Sequence, residues 1–287
     1  RYSEESLKWV LKRGITISNF TTRDLEDGRT ELHYASWKNE AWIARACIAF
    51  NDDDVNAPDE NGYIPLHDAC NNEHVDMAKL MLESGAQSSL YHKSMSGSIP
   101  IGLAIRTVNF DMVKLLLTNH EQIKERSLQN FGEAICDAAK GGNIEIIKLL
   151  VKSLGQDLVH LRNSNNNTAL HYASCINNAE VIELLLELGA DVNSVGGNGC
   201  TPLSLAAGFF CLDCAKALLA AGAAVNHVDE DERTPLDLAH FIRDFQPDLV
   251  TSRLHLFDDL IKVLEGSEKL RAAELPGDNN NNNNDNA

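Results

Sequence analysis

His33, His67, His171 and the pair Cys211–Cys214 are the side chains in this sequence best suited to chemistry. An imidazole can ligate a metal or carry a proton near neutral pH. A C-x-x-C pair can form half of a zinc site or a redox couple. Cys211-Leu212-Asp213-Cys214 has no second cysteine pair at a suitable spacing, which weakens that reading. Asn56–Gly62 resembles a calcium loop, but such a loop needs an acidic ligand five residues before its glycine. That place holds Ala57. The sequence contains no G-x-x-x-x-G-K-S/T phosphate loop, no H-E-x-x-H and no G-x-S-x-G. Nothing sets a nucleophile beside a base and its orienting partner. The expectation is an interaction protein with no catalytic site within these residues, no cofactor and no metal.

The elements that must position these side chains recur along the chain. Thr30-Glu31-Leu32-His33-Tyr34-Ala35 returns as Ile64-Pro65-Leu66-His67-Asp68-Ala69 and as Ile99-Pro100-Ile101-Gly102-Leu103-Ala104. It returns again as Thr168-Ala169-Leu170-His171-Tyr172-Ala173, Thr201-Pro202-Leu203-Ser204-Leu205-Ala206 and Thr234-Pro235-Leu236-Asp237-Leu238-Ala239. A degraded copy stands at Glu133-Ala134-Ile135-Cys136-Asp137-Ala138. The apolar residues at 32, 66, 101, 135, 170, 203 and 236 are spaced by 33 to 35 residues. Threonine is a good N-cap, because its hydroxyl accepts an orphan backbone N–H. Proline beside it suits the first helical position. A second apolar run follows in each copy, at Met77–Leu82, Met112–Leu117, Ile144–Val151, Val181–Leu186 and Ala215–Leu219. Gly85, Gly189 and Gly222 stand where a left-handed residue closes a helix.

This period and motif resemble the ankyrin repeat, whose 33-residue unit carries T-P-L-H-x-A. The resemblance covers roughly residues 5–266. It implies an all-α solenoid of helix–turn–helix units with β-hairpin-like fingers. The expected organisation is a partial capping repeat over 1–14 (Leu7–Arg13 closed by Gly14), the solenoid over 15–266, and an Asn-rich disordered tail or linker over 267–287. Leu254–Leu264 is expected to be the last second helix, after an insertion around Arg243–Ser252. The fourth copy departs from the pattern, with Glu133 in the threonine place, Cys136 in the histidine place and an irregular lead-in over Asn119–Phe131. It is either a decayed repeat or a bend that shapes a site. The resemblance also recasts the histidines as framework, binding nearby hydroxyl and backbone groups and tying repeats together. One repeat of separation is too far for shared metal ligation. In register, Cys214 falls on the buried face of a second helix, where free cysteine packs as a small hydrophobe.

The chain carries 25 basic and 42 acidic residues, a formal charge of −17. That disfavours nucleic acid, which needs a basic face, and adhesion to anionic lipid. It is compatible with a basic protein partner. The acidic runs Asp52–Asp54 and Asp229–Glu232 are expected at solvated finger turns. Seven cysteines without disulfide spacing point to a reducing compartment, cytoplasmic or nuclear. No run approaches the ~18 apolar residues of a membrane span, and no signal peptide opens the chain. The start at Arg1 rather than Met suggests a piece of something longer.

Ankyrin repeats typically hold a protein in the groove formed by fingers and first helices. The resemblance places Arg29, Trp37 and Lys38, then Tyr63, Asn71 and Asn72, on that face. Ser98, Arg106, Thr107, Lys140, Asn167, Cys175, Ile176, Cys200, Gly208 and Phe209 continue it. Trp37, Lys38, Tyr63, Asn71, Asn72, Arg106, Lys140, Ile176 and Phe209 are the expected partner-binding residues. Exposed aromatics and arginine are enriched at binding hot spots. Trp42 also falls at a place that is usually polar and exposed. Asn193, eight residues after Leu185 and preceded by Asp191-Val192, resembles the asparaginyl-hydroxylation context of ankyrin repeats. The function expected is a monomeric scaffold or adaptor. The alternative is the recruiting domain of a larger kinase, ubiquitin ligase, acyltransferase or GTPase regulator.

Overall fold

The structure, a computed structural model, describes residues 27–50, 55–120, 131–245 and 254–274. The readings made for Leu7–Gly14, Asp52–Asp54 and Asp278–Ala287 lie outside the described residues, as do most of Asn119–Phe131 and of the insertion near Arg243–Ser252. The chain divides into two compact bodies, Arg1–Ser164 and Asn165–Ala287. Fourteen α-helices, and no strand, occur among the described residues. In the N-terminal body these are α1 (Glu31–Lys38), α2 (Ala41–Phe50), α3 (Pro65–Asn71), α4 (Val75–Glu83), α5 (Pro100–Arg106), α6 (Phe110–His120), α7 (Gly132–Lys140) and α8 (Ile144–Leu154). The C-terminal body holds α9 (Ala169–Cys175), α10 (Ala179–Glu187), α11 (Pro202–Gly208), α12 (Leu212–Ala220), α13 (Pro235–Phe245) and α14 (Leu254–Glu274). Odd-numbered helices carry the motif, and even-numbered helices carry the second apolar run.

Helices of seven to eleven residues dominate this set, and such lengths are marginal in isolation. Stacking stabilises them. In the N-terminal body α1 packs on α3, α3 on α5 and α5 on α7, while α4 packs on α6 and α6 on α8. In the C-terminal body α9 packs on α11 and α11 on α13, while α10 packs on α12 and α12 on α14. The motif's third residue is buried at Leu32, Leu66, Ile101, Ile135, Leu170 and Leu203. Second helices bury Met77, Met81, Met112, Leu116, Ile147, Leu150, Val181, Leu185, Cys214 and Leu218. At roughly 1.5–3 kcal/mol per fully buried large apolar side chain, this seam is the main source of cohesion. Gly85, Gly189 and Gly222 take φ of 112°, 92° and 90°, the left-handed closure their position called for. The last helix runs to Glu274, beyond the expected Leu264.

The fingers keep a hairpin-like turn but form no strand among the described residues. Each is a tight turn closed by a backbone bond from Asp59 N–H to Tyr63 O, Ser94 to Ser98, Gly196 to Cys200 and Asp229 to Arg233, with a second inside it from Gly62 N–H to Asp59 O, Gly97 to Ser94, Cys200 to Gly197 and Glu232 to Asp229. Neighbouring fingers share single bonds: Glu60 N–H to Asp27 O, Met95 to Asn61 and Glu230 to Asn198. One bond per neighbour is too few for a strand ladder.

Candidate functional site

The three motif histidines are fully buried and perform the same task. Nδ1 of His33, His67 and His171 accepts the N–H of Thr30, Ile64 and Thr168 at 3.0, 3.1 and 3.2 Å, capping the helix it starts. Nε2–H then donates to the carbonyl of Tyr63, Ser98 and Cys200 at 2.9, 3.1 and 3.2 Å, one repeat further on. Nδ1 can accept only in the neutral ring. Burial pushes His67 down to about 4, against the help of the Ser98 carbonyl. The ring is therefore spent on structure and has no free nitrogen for a metal or a proton relay.

Where serine or aspartate stands in the histidine place, the cap survives and the tie does not. Ser204 N–H donates to Thr201 Oγ1 at 3.2 Å, and Thr234 N–H and hydroxyl both donate to Asp237 Oδ2. Neither side chain is long enough to reach another repeat. In the fourth repeat Cys136 is buried, and burial pushes its thiol far up. Glu133 adds a link to the next repeat beside the contact of Cys136 with the Asn163 backbone, taking the Ser164 N–H on Oε1 at 2.7 Å. Cys211 and Cys214 are buried and form no disulfide, with Cys214 in the wall of α12 as its register required. No group of three or more metal-ligating side chains occurs among the described residues.

A second histidine series went unread in the sequence. His92 and His227 donate from Nε2 to the carbonyls of Gly62 and Gly199, both at 3.0 Å. Each stands two residues before its finger-turn residue, Ser94 or Asp229, a signal that aligning the fingers would have given. The acidic run Asp229–Glu232 needs correction. Glu230, Asp231 and Glu232 are exposed, but Asp229 is buried. Its Oδ1 accepts the N–H groups of Asp231 and Arg233, so it forms the turn instead of being solvated. Asp59 does the same for Asn61 and Tyr63.

The expected partner-facing residues divide among separate surfaces. Trp37 and Lys38 are exposed at the end of α1, with the Lys38 ammonium 5.8 Å from the Trp37 ring centroid. Tyr63 and Asn71 line one cleft of the N-terminal body with Asp27, Arg29, Asp59, Asn61 and Asp68. Asn72 is half-buried and donates to Asp68 O at 2.8 Å. Arg106 lies in a second, polar depression, 3.6 Å from Asp137 and donating to Ser98 Oγ at 3.1 Å. Lys140 is exposed at the end of α7 and lines neither. In the C-terminal body Ile176 and Phe209 share an apolar cleft of about 840 Å³ with Cys175, Cys200, Leu238 and Ile242. Trp42 is exposed as expected. Asn193 is exposed too, but its Oδ1 accepts the Ala224 N–H at 2.7 Å.

Family models match most of this arrangement. The ankyrin-repeats model fits residues 2–92, 32–127 and 101–196, and the single-repeat model fits 198–230. The chain belongs to the ankyrin-repeat family. The ankyrin repeat domain of human ASB11 superposes with a TM-score of 0.59 at 26% identity, over 74% of this chain and 92% of that one. That of Bcl-3, a member of the IkappaB protein family, gives 0.62 at 23% over 75% and 95%, which speaks to the fold alone. Among curated proteins the chain is 26% identical over 63% of its length to the Drosophila melanogaster transient receptor potential cation channel subfamily A member 1. It is 25% identical over 71% of its length to the Arabidopsis thaliana E3 ubiquitin-protein ligase KEG. These matches span only 16% and 13% of those proteins. No helix among the described residues is long and apolar enough to cross a membrane.

Proposed function

We propose that this ankyrin-repeat chain is a protein-interaction module that holds a protein partner against its fingers and first helices. One observation carries the reading. Ile176 and Phe209 stand 38% and 53% exposed at matching places where the first helix of a repeat ends, and Trp37, one place earlier in its own repeat, is 47% exposed. A large apolar side chain in water at a repeated, surface-directed position gains most when a partner covers it. Lys38, Tyr63, Asn71, Asn72, Arg106 and Lys140 supply the polar contacts around these anchors. The module works as a monomer in the cytoplasm or nucleus and performs no catalysis itself. Hydroxylation of Asn193 is part of this proposal, and an intact mass without added oxygen after native expression removes it.

Affinity capture with the wild type, Trp37→Ala and Phe209→Ala tests the reading. Specific proteins should be lost from the variants while melting and helicity stay near wild type. An unchanged captured set, or a melting point many degrees lower, overturns the surface assignment. A second reading rests on the short span of the matches, 13% to 19% of three curated relatives. In it, this module recruits a partner or substrate for a larger protein.

A further inference from the structure

The cleft at the first two fingers holds three carboxylates, Asp27, Asp59 and Asp68, around one guanidinium, Arg29. Arg29 donates from Nη2 to Asp68 Oδ1 at 2.5 Å and from Nε to Asp59 Oδ2 at 3.4 Å. Asp59 Oδ1 is occupied by the N–H groups of Asn61 and Tyr63. Asp27 accepts the Arg29 N–H on Oδ1 and the Tyr34 hydroxyl on Oδ2. That leaves Asp68 Oδ2, which is buried and has no hydrogen-bond partner. Asp68 is only 7% exposed and lines the cleft. The fold does not require a carboxylate there, since five of the six other matching places hold Tyr34, Leu103, Tyr172, Leu205 and Leu238, and only the fourth repeat has another, Asp137. A buried carboxylate oxygen without a donor is costly, and a donor arriving from outside removes that cost.

We propose that this cleft receives an arginine side chain from a basic segment of the protein partner, whose guanidinium donates to Asp68 Oδ2. The proposal rests on the reading of this face as partner-binding. The local excess of carboxylate over guanidinium favours a cation, and the overall charge of −17 draws a basic segment in from a distance. Arginine suits the place better than lysine. Its guanidinium is more weakly hydrated and stacks on aromatic rings, and Tyr63 is in the wall. His67, also in the wall, is held neutral by burial and does not oppose the incoming charge near neutral pH. Burial sets Asp68 up to about 6, with Arg29 pulling it down and Asp59 and Asp27 adding to the rise. The cleft therefore loses its anionic acceptor as the pH falls below that point.

The test uses the full chain, labelled with nitrogen-15, and N-acetyl-arginine amide as probe. At pH 7.5 the backbone amides of Tyr63, Asp68 and Asn71 should shift. N-acetyl-citrulline amide, of the same shape but uncharged, should leave them in place. Asp68→Asn should weaken the arginine response about tenfold or more, as for loss of one partner of a desolvated charge pair. Asn71→Arg places a resident cation at the exposed mouth, away from the buried ion pair, and should abolish the response. If Asp68→Asn does not fold, Asn71→Arg alone decides between the outcomes. Equal shifts with citrulline, or shifts spread over the acidic surface and unchanged in Asn71→Arg, overturn the proposal. A cleft that ignores arginine while Trp37→Ala still loses captured proteins refutes the arginine site alone. An arginine response with captured proteins indifferent to Trp37 and Phe209 refutes the apolar anchors instead.

Discussion

The imidazole of His33 donates to the backbone carbonyl of Tyr63, 2.9 Å away and one repeat ahead. The same ring accepts the Thr30 N–H, so a single side chain starts a helix and fastens the next finger. His171 makes the equivalent pair with Thr168 and Cys200 in the C-terminal body. The Ser204 repeat shows what the motif does without the ring: the Thr201 hydroxyl caps the helix by accepting the Ser204 N–H, and Ser204 reaches no neighbour. His171→Ser should therefore keep the cap and remove one of the two donors to the Cys200 carbonyl, which still accepts the Gly196 N–H. The expected loss is about 0.5–1.5 kcal/mol, the net contribution of one intramolecular hydrogen bond. Chemical denaturation measures it, and a loss below a few tenths of a kcal/mol would show that the tie contributes nothing.

His67 gives the N-terminal body a pH dependence. Its folded-state value, about 4, lies below the ordinary 6.5 because burial penalises the charged ring. Stability from a depressed histidine is present above the unfolded value and is lost as pH falls toward the folded one. Between pH 7 and pH 5 this loss amounts to about 2 kcal/mol. Asp68 acts in the opposite sense. Burial raises it to about 6, so its ionisation costs stability above that pH, and the cost fades on acidification. Over the same interval it returns about 1 kcal/mol. Asp68→Asn should thus steepen the acid loss of stability between pH 7 and pH 5. Identical slopes for wild type and variant would show that Asp68 titrates like an exposed carboxylate.

Much of the fold could be read from period and motif, because each repeat solves the same local problem with the same residue types. Leu32, Leu66 and Leu170 are buried where the pattern put them, and Trp37, Ile176 and Phe209 stay exposed where it put them. The pattern was silent on pairings that cross repeats between unlike residues. Arg29 meets Asp68 across 39 positions, a contact no single motif contains. Glu133 looked like a decayed threonine, yet it ties its repeat onward by reaching Ser164. Asp229 looked like solvated charge and proved to be the internal acceptor of its turn. Composition assigns such carboxylates to the surface, and only geometry shows which backbone donors they meet.

The loop between the paired helices uses a left-handed residue in six repeats, at Asn39, Glu73, Val108, Gly142, Asn177 and Phe210. Asparagine and glycine tolerate that conformation. Val108, at φ 59°, is β-branched and does not. Left-handed backbone costs an ordinary L-residue roughly 1–2 kcal/mol. Val108 is also 55% exposed, so little burial offsets the strain. Val108→Asn should stabilise the chain by about 1 kcal/mol, read as a higher denaturation midpoint with unchanged slope. A lower midpoint would mean that the valine side chain contributes packing worth more than the strain.

Gly132 explains how the fourth repeat keeps its place without threonine or histidine. It begins α7 at a point where the Arg162 carbonyl oxygen would lie 2.1 Å from any added Cβ. No relaxation of a flexible side chain can relieve that contact, because the obstructing atom is backbone. The close approach brings the following finger near enough for the Ser164 N–H to meet Glu133. Gly132→Ala must push this finger away and break that tie. The combined cost should reach about 2–4 kcal/mol, overpacking together with a lost charge-assisted hydrogen bond. Glu133→Gln keeps an acceptor of the same length and should cost about 1 kcal/mol or less, since only the charge assistance is lost. Equal losses in the two variants would show that the carboxylate charge, and not the glycine's close approach, holds the repeat in position.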